Sequence, residues 1–97
     1  MELHKSDNPN KRFLVIYQDK KYYFGAPNAY TYIDGADKTV RANYWARHYA
    51  NSTEKYRIDH LIPSASLFAA YILWGTSHDI YKNLNTLNKL MKKKYKK

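Results

Sequence analysis

The stock of side chains able to do chemistry in this 97-residue sequence is four histidines, eight acids and seventeen basic residues. The cluster Asp59-His60, with Asn83 and Asn85 downstream, has hydrolytic potential, because a His can polarise water beside a metal ion held by an Asp and a later His or Asn. The last ligand is missing: Met91 stands four residues after Leu87 where it should fall, and the stretch between has the periodicity of an apolar helix and not of a loop. His4, His48, His60 and His78 are never three or four residues apart, so they form no helical metal pair, and three glycines supply no phosphate-cradling loop. With no cysteine, thiolate zinc sites, disulfide frameworks and a Cys nucleophile all fall away. The expectation is a non-enzyme with no catalytic residue, no metal, no cofactor and no small-molecule substrate.

Binding chemistry is richer. Lys89, Lys92, Lys93, Lys94, Lys96 and Lys97 carry six of the nine net positive charges, leaving residues 1–88 at +3. Lysines that neutralise phosphates release condensed counterions, so such an end seeks polyanions in a salt-dependent way, although a terminal charge run also serves simply as a solvated end. Arg41 and Arg47, beside His48 and Trp45, form a basic patch in which a guanidinium can meet a carboxylate, a phosphate or an aromatic face. Arg47 paired with Asp34 or Asp37 would instead fix a helix to the sheet. Eleven tyrosines form the other resource. Tyr22, Tyr23, Tyr30, Tyr32 and Tyr44, with Trp45 and Trp74, are candidate protein-interface residues, since a rigid ring gives area and its polar atom a hydrogen bond. Stacking on single-stranded bases is the competing use, without a ribonucleoprotein-type strand signature to support it.

The elements that must position these groups can be read from period and breakers. The length sets a single domain, 12–91, between a loose polar lead-in, 1–11, and a lysine-rich tail, 92–97. Phe13–Tyr17 and Lys20–Phe24 predict two antiparallel strands joined by a tight turn that lacks the Asn-Gly signal, and Tyr30–Ile33 predicts a third. From Asp37, the expected N-cap, Val40, Tyr44 and His48 recur at helical spacing. Tyr56–Ile62 is expected to be extended up to Pro63. Leu67–Trp74 is expected to be a short buried helix closed by a left-handed Gly75. Thr76 and Asp79 have capping-box spacing for a last helix whose row Ile80, Leu84, Leu87 and Met91 faces inward, leaving Lys82, Asn83, Asn85 and Lys89 to solvent. The fold class is α+β: a small antiparallel three-stranded sheet followed by about three helices. The longest apolar run, Leu67–Trp74, is far short of the roughly 20 residues of a spanning helix. No apolar leader opens the sequence, so a chain without a transmembrane segment or secretion signal is expected.

Taken in order, Lys21-Tyr22-Tyr23-Phe24-Gly25-Ala26, Tyr30-Thr31-Tyr32, Asp37 to Arg41 and Asn43-Tyr44-Trp45-Ala46-Arg47-His48 form a pattern. It continues with Pro63-Ser64-Ala65, Ala70-Tyr71-Ile72-Leu73-Trp74-Gly75, Ser77 and Asn83-Leu84. This resembles a family of small uncharacterised proteins of large double-stranded DNA viruses of protists, algae and animals, and of some phages, over residues 12 to 90. The resemblance implies a viral protein made in the cytoplasm of the infected cell and packaged in the virion. The leading expectation is a minor capsid or capsid-associated component. Its Tyr and Trp surfaces would pack on other capsid proteins, and its tail would meet acidic protein, membrane or nucleic acid. A sequence-nonspecific genome-binding protein is the alternative. The Asp59-His60 and Asn83-Leu84 pieces also look like portions of HNH-type nucleases, which makes a degenerate metal-dependent nuclease the second alternative.

Overall fold

A computed structural model describes residues 1–95. Three antiparallel strands in the order β1-β2-β3, namely β1 (Glu2–Lys5), β2 (Phe13–Tyr17) and β3 (Lys20–Phe24), form the sheet. Four helices follow: α1 (Lys38–Tyr49), α2 (Ser52–Asp59), α3 (Ala65–Phe68) running on into a π-helical turn (Ala69–Leu73), and α4 (Ile80–Lys94). The α+β class is as expected, but the third strand is not where the sequence placed it. Residues 2–5 of the supposed lead-in pair with β2, Leu3 opposite Val15, while Tyr30–Ile33 is no strand and Tyr32–Asp34 forms a single 3-10 turn.

Alternation along the strands turns Leu3, Phe13, Val15, Tyr17, Tyr22 and Phe24 to one face. That face meets Phe68 of α3, with ring centroids 5.2 Å from Tyr22 and 6.1 Å from Phe24. Val15, Phe24, Ile58, Leu67, Phe68, Ile72, Leu87 and Met91 are all buried, and so form the core between sheet and helices.

The hairpin turn consists of Gln18 and Asp19 alone, because Tyr17 pairs with Lys20, and both turn residues have positive φ, 50° and 64°. Two left-handed residues in a two-residue loop are the type I′ geometry, here built without glycine.

Asp37 caps α1 as expected, accepting from the Val40 N–H. The segment read as extended from Tyr56 is instead α2, whose N-cap Asn51 accepts from the Thr53 and Glu54 N–H groups. Its end is a Schellman motif: Ile62 N–H donates to Arg57 O at 2.8 Å and Leu61 N–H to Ile58 O at 3.2 Å, with Leu61 at φ 52° where glycine is usual.

Three further expectations are corrected between the π-helical turn and α4. Asp79 itself, and not Thr76, caps α4, accepting from the Tyr81 and Lys82 N–H groups. Gly75 is not left-handed; it is required for space, since a Cβ there would meet the Tyr71 carbonyl oxygen and lie 2.6 Å from Asn83 Cγ. Asn83, assigned to solvent by helical period, is 2% exposed.

Candidate functional site

The lysines predicted to form a tail largely belong to a helix. Lys89, Lys92, Lys93 and Lys94 lie on α4 and are exposed, while Lys96 and Lys97 fall outside the described residues. The helix end is anchored by Tyr95, whose hydroxyl donates to Leu61 O at 2.9 Å. Lys82, Thr86, Lys89 and Lys93 recur at i, i+4, i+7 and i+11, so they share one flank of α4, beside the apolar row that faces the core. All four are exposed, and among the described residues none of these lysines forms an ion pair. Lys82, expected to face solvent, lies outside the terminal lysine run that marked the polyanion candidates and joins them only through the helical row.

Along this flank lies a cleft of about 260 Å³ lined by Arg41, Ala42 and Trp45 of α1, Tyr71, Thr76, and Asn83 and Thr86 of α4. Its walls are set by the end of the π-helical turn, where the helix leaves carbonyls without main-chain partners. Trp74 O accepts from Trp45 Nε1 at 2.8 Å and from Arg41 Nε at 3.0 Å, and Gly75 O accepts from Arg41 Nε at 2.8 Å. Asn83 Nδ2 donates to Ile72 O and Ser77 O, and its Oδ1 accepts from the Ser77 N–H. Arg41 is thus a structural clamp as well as a polyanion candidate, its guanidinium carbon 5.7 Å from the ring centroids of both Tyr32 and Trp45. Tyr71, Thr76 and Thr86 carried no sequence signal as site residues. The contact that gathers them, Arg41 to Trp74, spans 33 positions.

A second cleft, of about 350 Å³, opens on the other side of α1 among Gly25, Ala26, Thr31, Arg47, His48 and Trp74. Arg47 is exposed at its rim and pairs with neither Asp34 nor Asp37. Asp34 is taken by Arg12 in a two-pronged ion pair, 2.7 and 2.6 Å, and also accepts from the Thr31 N–H and hydroxyl. The Arg12 hydrogen bonds hold the Asp34 carboxyl well below the usual carboxylate range. His48 Nδ1 lies 2.7 Å from Glu54 Oε2.

The aromatic candidates separate by burial. Tyr32, Tyr44 and Trp74 are core residues, with Tyr44 stacked on Trp74 at 4.5 Å and 9°, which corrects their assignment to an interface. Tyr22 and Tyr23 are half-buried, Tyr22 on Phe68 and Tyr23 donating its hydroxyl to Asp7. Trp45 is half-buried and Tyr30 is 65% exposed, its hydroxyl close over Gly35.

Asp59 and His60 do not converge on a reactive centre. Asp59 accepts from the Tyr49 hydroxyl and from Lys55 Nζ, and His60 stacks on Tyr56 with Nδ1 3.0 Å from Tyr56 O. Lys55 and Tyr49 hold the Asp59 carboxyl low, while burial and the Asp59 hydrogen bond push the Tyr49 hydroxyl up to about 12. Among the described residues no three His, Cys, Asp or Glu side chains lie close enough to hold a metal ion together. No described helix is long and apolar enough to cross a membrane.

Comparison with known proteins agrees with the viral resemblance in part. Residues 1–48 match the family described as "Family of unknown function (DUF5754)", a match that begins at the first residue and so includes β1. The chain is 39% identical over 80 residues to "Uncharacterized protein L851" of Acanthamoeba polyphaga mimivirus, covering 76% of this chain and 80% of that protein. A viral origin is consistent with that relative. No solved structure matches.

Proposed function

The chain belongs to the same family of unknown function as the mimivirus protein, and from that premise we propose a non-enzymatic virion protein that binds a phosphate polymer through the lysine-bearing flank of α4. The observation that carries this reading is the exposed row Lys82, Lys89 and Lys93, without an ion pair among the described residues and extended by Lys92 and Lys94. A favourable interaction with the helix dipole accounts for lysines in the last turn only. Lys82 and Lys89 lie outside that turn, so the dipole does not account for them. Seven and four residues separate the three, about 10 and 6 Å along the axis at 1.5 Å per residue, a spacing that lets successive lysines reach successive phosphates. In the virion the polymer would be the genome, and synthesis would take place in the cytoplasm of the infected cell.

The capsid-packing reading follows from the viral resemblance and the small Tyr-rich body, with seven aromatic side chains as its contact surfaces, and three of these, Tyr32, Tyr44 and Trp74, are internal. Exposed Tyr30 and half-buried Tyr22, Tyr23 and Trp45 remain as its support. The two readings part in purified particles: recovery with extracted genome supports the phosphate reading, and recovery with the shell after genome removal supports capsid packing.

In solution, binding to a labelled single-stranded oligonucleotide should weaken steeply with salt. Replacing Lys82, Lys89 and Lys93 by Gln should make the log–log slope shallower by about 2, at roughly 0.7 per phosphate contact on a single strand. A triple variant that binds with the parental slope would overturn the assignment to α4.

A further inference from the structure

The cleft beside the lysine row has chemistry that phosphate contacts do not use. At about 260 Å³ it falls below the roughly 300–1,000 Å³ of sites that enclose drug-sized ligands, so it suits one planar group. Its aromatic wall is fixed: Trp45 is tethered through Nε1 to Trp74 O, and the rings of Tyr49 and Tyr71 meet it edge-on at 5.8 and 5.7 Å. Its cation is fixed too. Arg41 is held by Nε, and neither terminal guanidinium nitrogen has a hydrogen-bond partner among the described residues. A guanidinium so placed offers in-plane N–H donors next to an indole, so a flat heteroaromatic ring with acceptors on its edge gains dispersion contact and hydrogen bonds together. Thr86 belongs both to the cleft and to the lysine row. A group that enters the cleft is therefore in position to be attached to a polymer lying along Lys82, Lys89 and Lys93.

We propose that this cleft takes one unpaired nucleobase of a single-stranded nucleic acid whose phosphates lie along the lysine flank of α4. The proposal rests on the phosphate-polymer reading and adds a strand preference to it. A duplex keeps its bases stacked and must unpair one to fill the cleft. An acidic polypeptide satisfies the lysines but brings no ring to Trp45 and Arg41.

The test uses the full chain and three labelled oligonucleotides of equal length: a single strand, the same strand with abasic sites throughout, and a duplex. Fluorescence anisotropy at one salt concentration should give roughly tenfold tighter binding to the base-bearing single strand than to the abasic strand, the scale of one base stacked on an aromatic side chain. Ala42→Leu fills the cleft from an exposed helical position with a good helix former. It should remove most of that preference while leaving abasic affinity and salt slope unchanged. Equal affinity for abasic and base-bearing strands overturns the base site and leaves the phosphate reading standing. So does a preference that survives in a folded Ala42→Leu protein. Failure to bind any of the three overturns both.

Discussion

Individual residues at the end of the π-helical turn carry more of the structure than their types announce. Gly75 and Asn83 form one unit: the glycine leaves room for the amide, and the amide satisfies Ile72 O, Ser77 O and the Ser77 N–H. Asn83→Ala leaves the buried Ile72 O and the part-buried Ser77 O and N–H without this partner, and an unsatisfied buried group costs about 1–3 kcal/mol, so a loss of about 3 kcal/mol is expected. Gly75→Ala should cost a similar amount, because its Cβ collides with both the Tyr71 carbonyl and the Asn83 side chain. In the double variant one collision is gone, so urea denaturation should give a total at least about 1 kcal/mol smaller than the sum of the singles. Strict additivity would mean that the two residues act separately. From α1, Arg41 reaches Trp74 O and Gly75 O and Trp45 reaches Trp74 O, so the cleft walls and the end of the π-helical turn stand or fall together.

Among the elements, the β2–β3 hairpin shows where local sequence and local geometry disagree. Gln18 and Asp19 both sit at positive φ, which costs a non-glycine residue about 1 kcal/mol, while Asn-Gly is the pair that fits this turn. Replacing Gln18 by Asn and Asp19 by Gly should stabilise the protein by about 1 kcal/mol and raise Tm by about 4–8 °C for a domain of this size. An unchanged or lower Tm would show that the strain is absorbed elsewhere. The same disagreement explains which elements were legible. β2, β3, α1 and α4 announced themselves by apolar period and by Asp37, and the lysines of α4 by composition. α2 did not, because it is mostly polar and its left-handed end is Leu61, where a glycine would have marked a helix terminus. β1 has no strand signal in Glu-Leu-His-Lys; it exists because β2 offers an edge and Leu3 finds Val15. Tyr30–Ile33 had strand propensity, but Asp34 folds back on Thr31 and makes a turn instead. The cleft was legible only in part: Arg41 and Trp45 share α1, but Tyr71, Thr76, Asn83 and Thr86 come from segments that only packing brings to them.

At the scale of the whole molecule, the net charge of +9 divides between residues 1–88 at +3 and a lysine-rich C-terminal stretch at +6, so solution conditions act on the two parts differently. Salt should tune binding at α4, whereas acid should tune folding through Arg12–Asp34, the ion pair that ties the entrance of β2 to the turn before α1. The Asp34 carboxyl is held below its unfolded value, so its contribution to stability is fully present above about pH 4 and disappears as pH falls toward the folded value. Protonation of the eight acids adds to the loss by raising a positive charge that is already in excess. Asp34→Asn cannot be titrated, so it should destabilise the protein by about 2 kcal/mol at pH 7 and flatten the fall in Tm between about pH 5 and pH 2. Lys82, Lys89 and Lys93 changed to Gln should also ease the acid-side fall, by reducing repulsion, but with little effect on Tm at pH 7, since among the described residues none of the three forms an ion pair. If the Asp34 variant tracks the parent down the acid limb, then repulsion from the lysine-rich helix, and not the Arg12 pair, governs how the fold responds to pH.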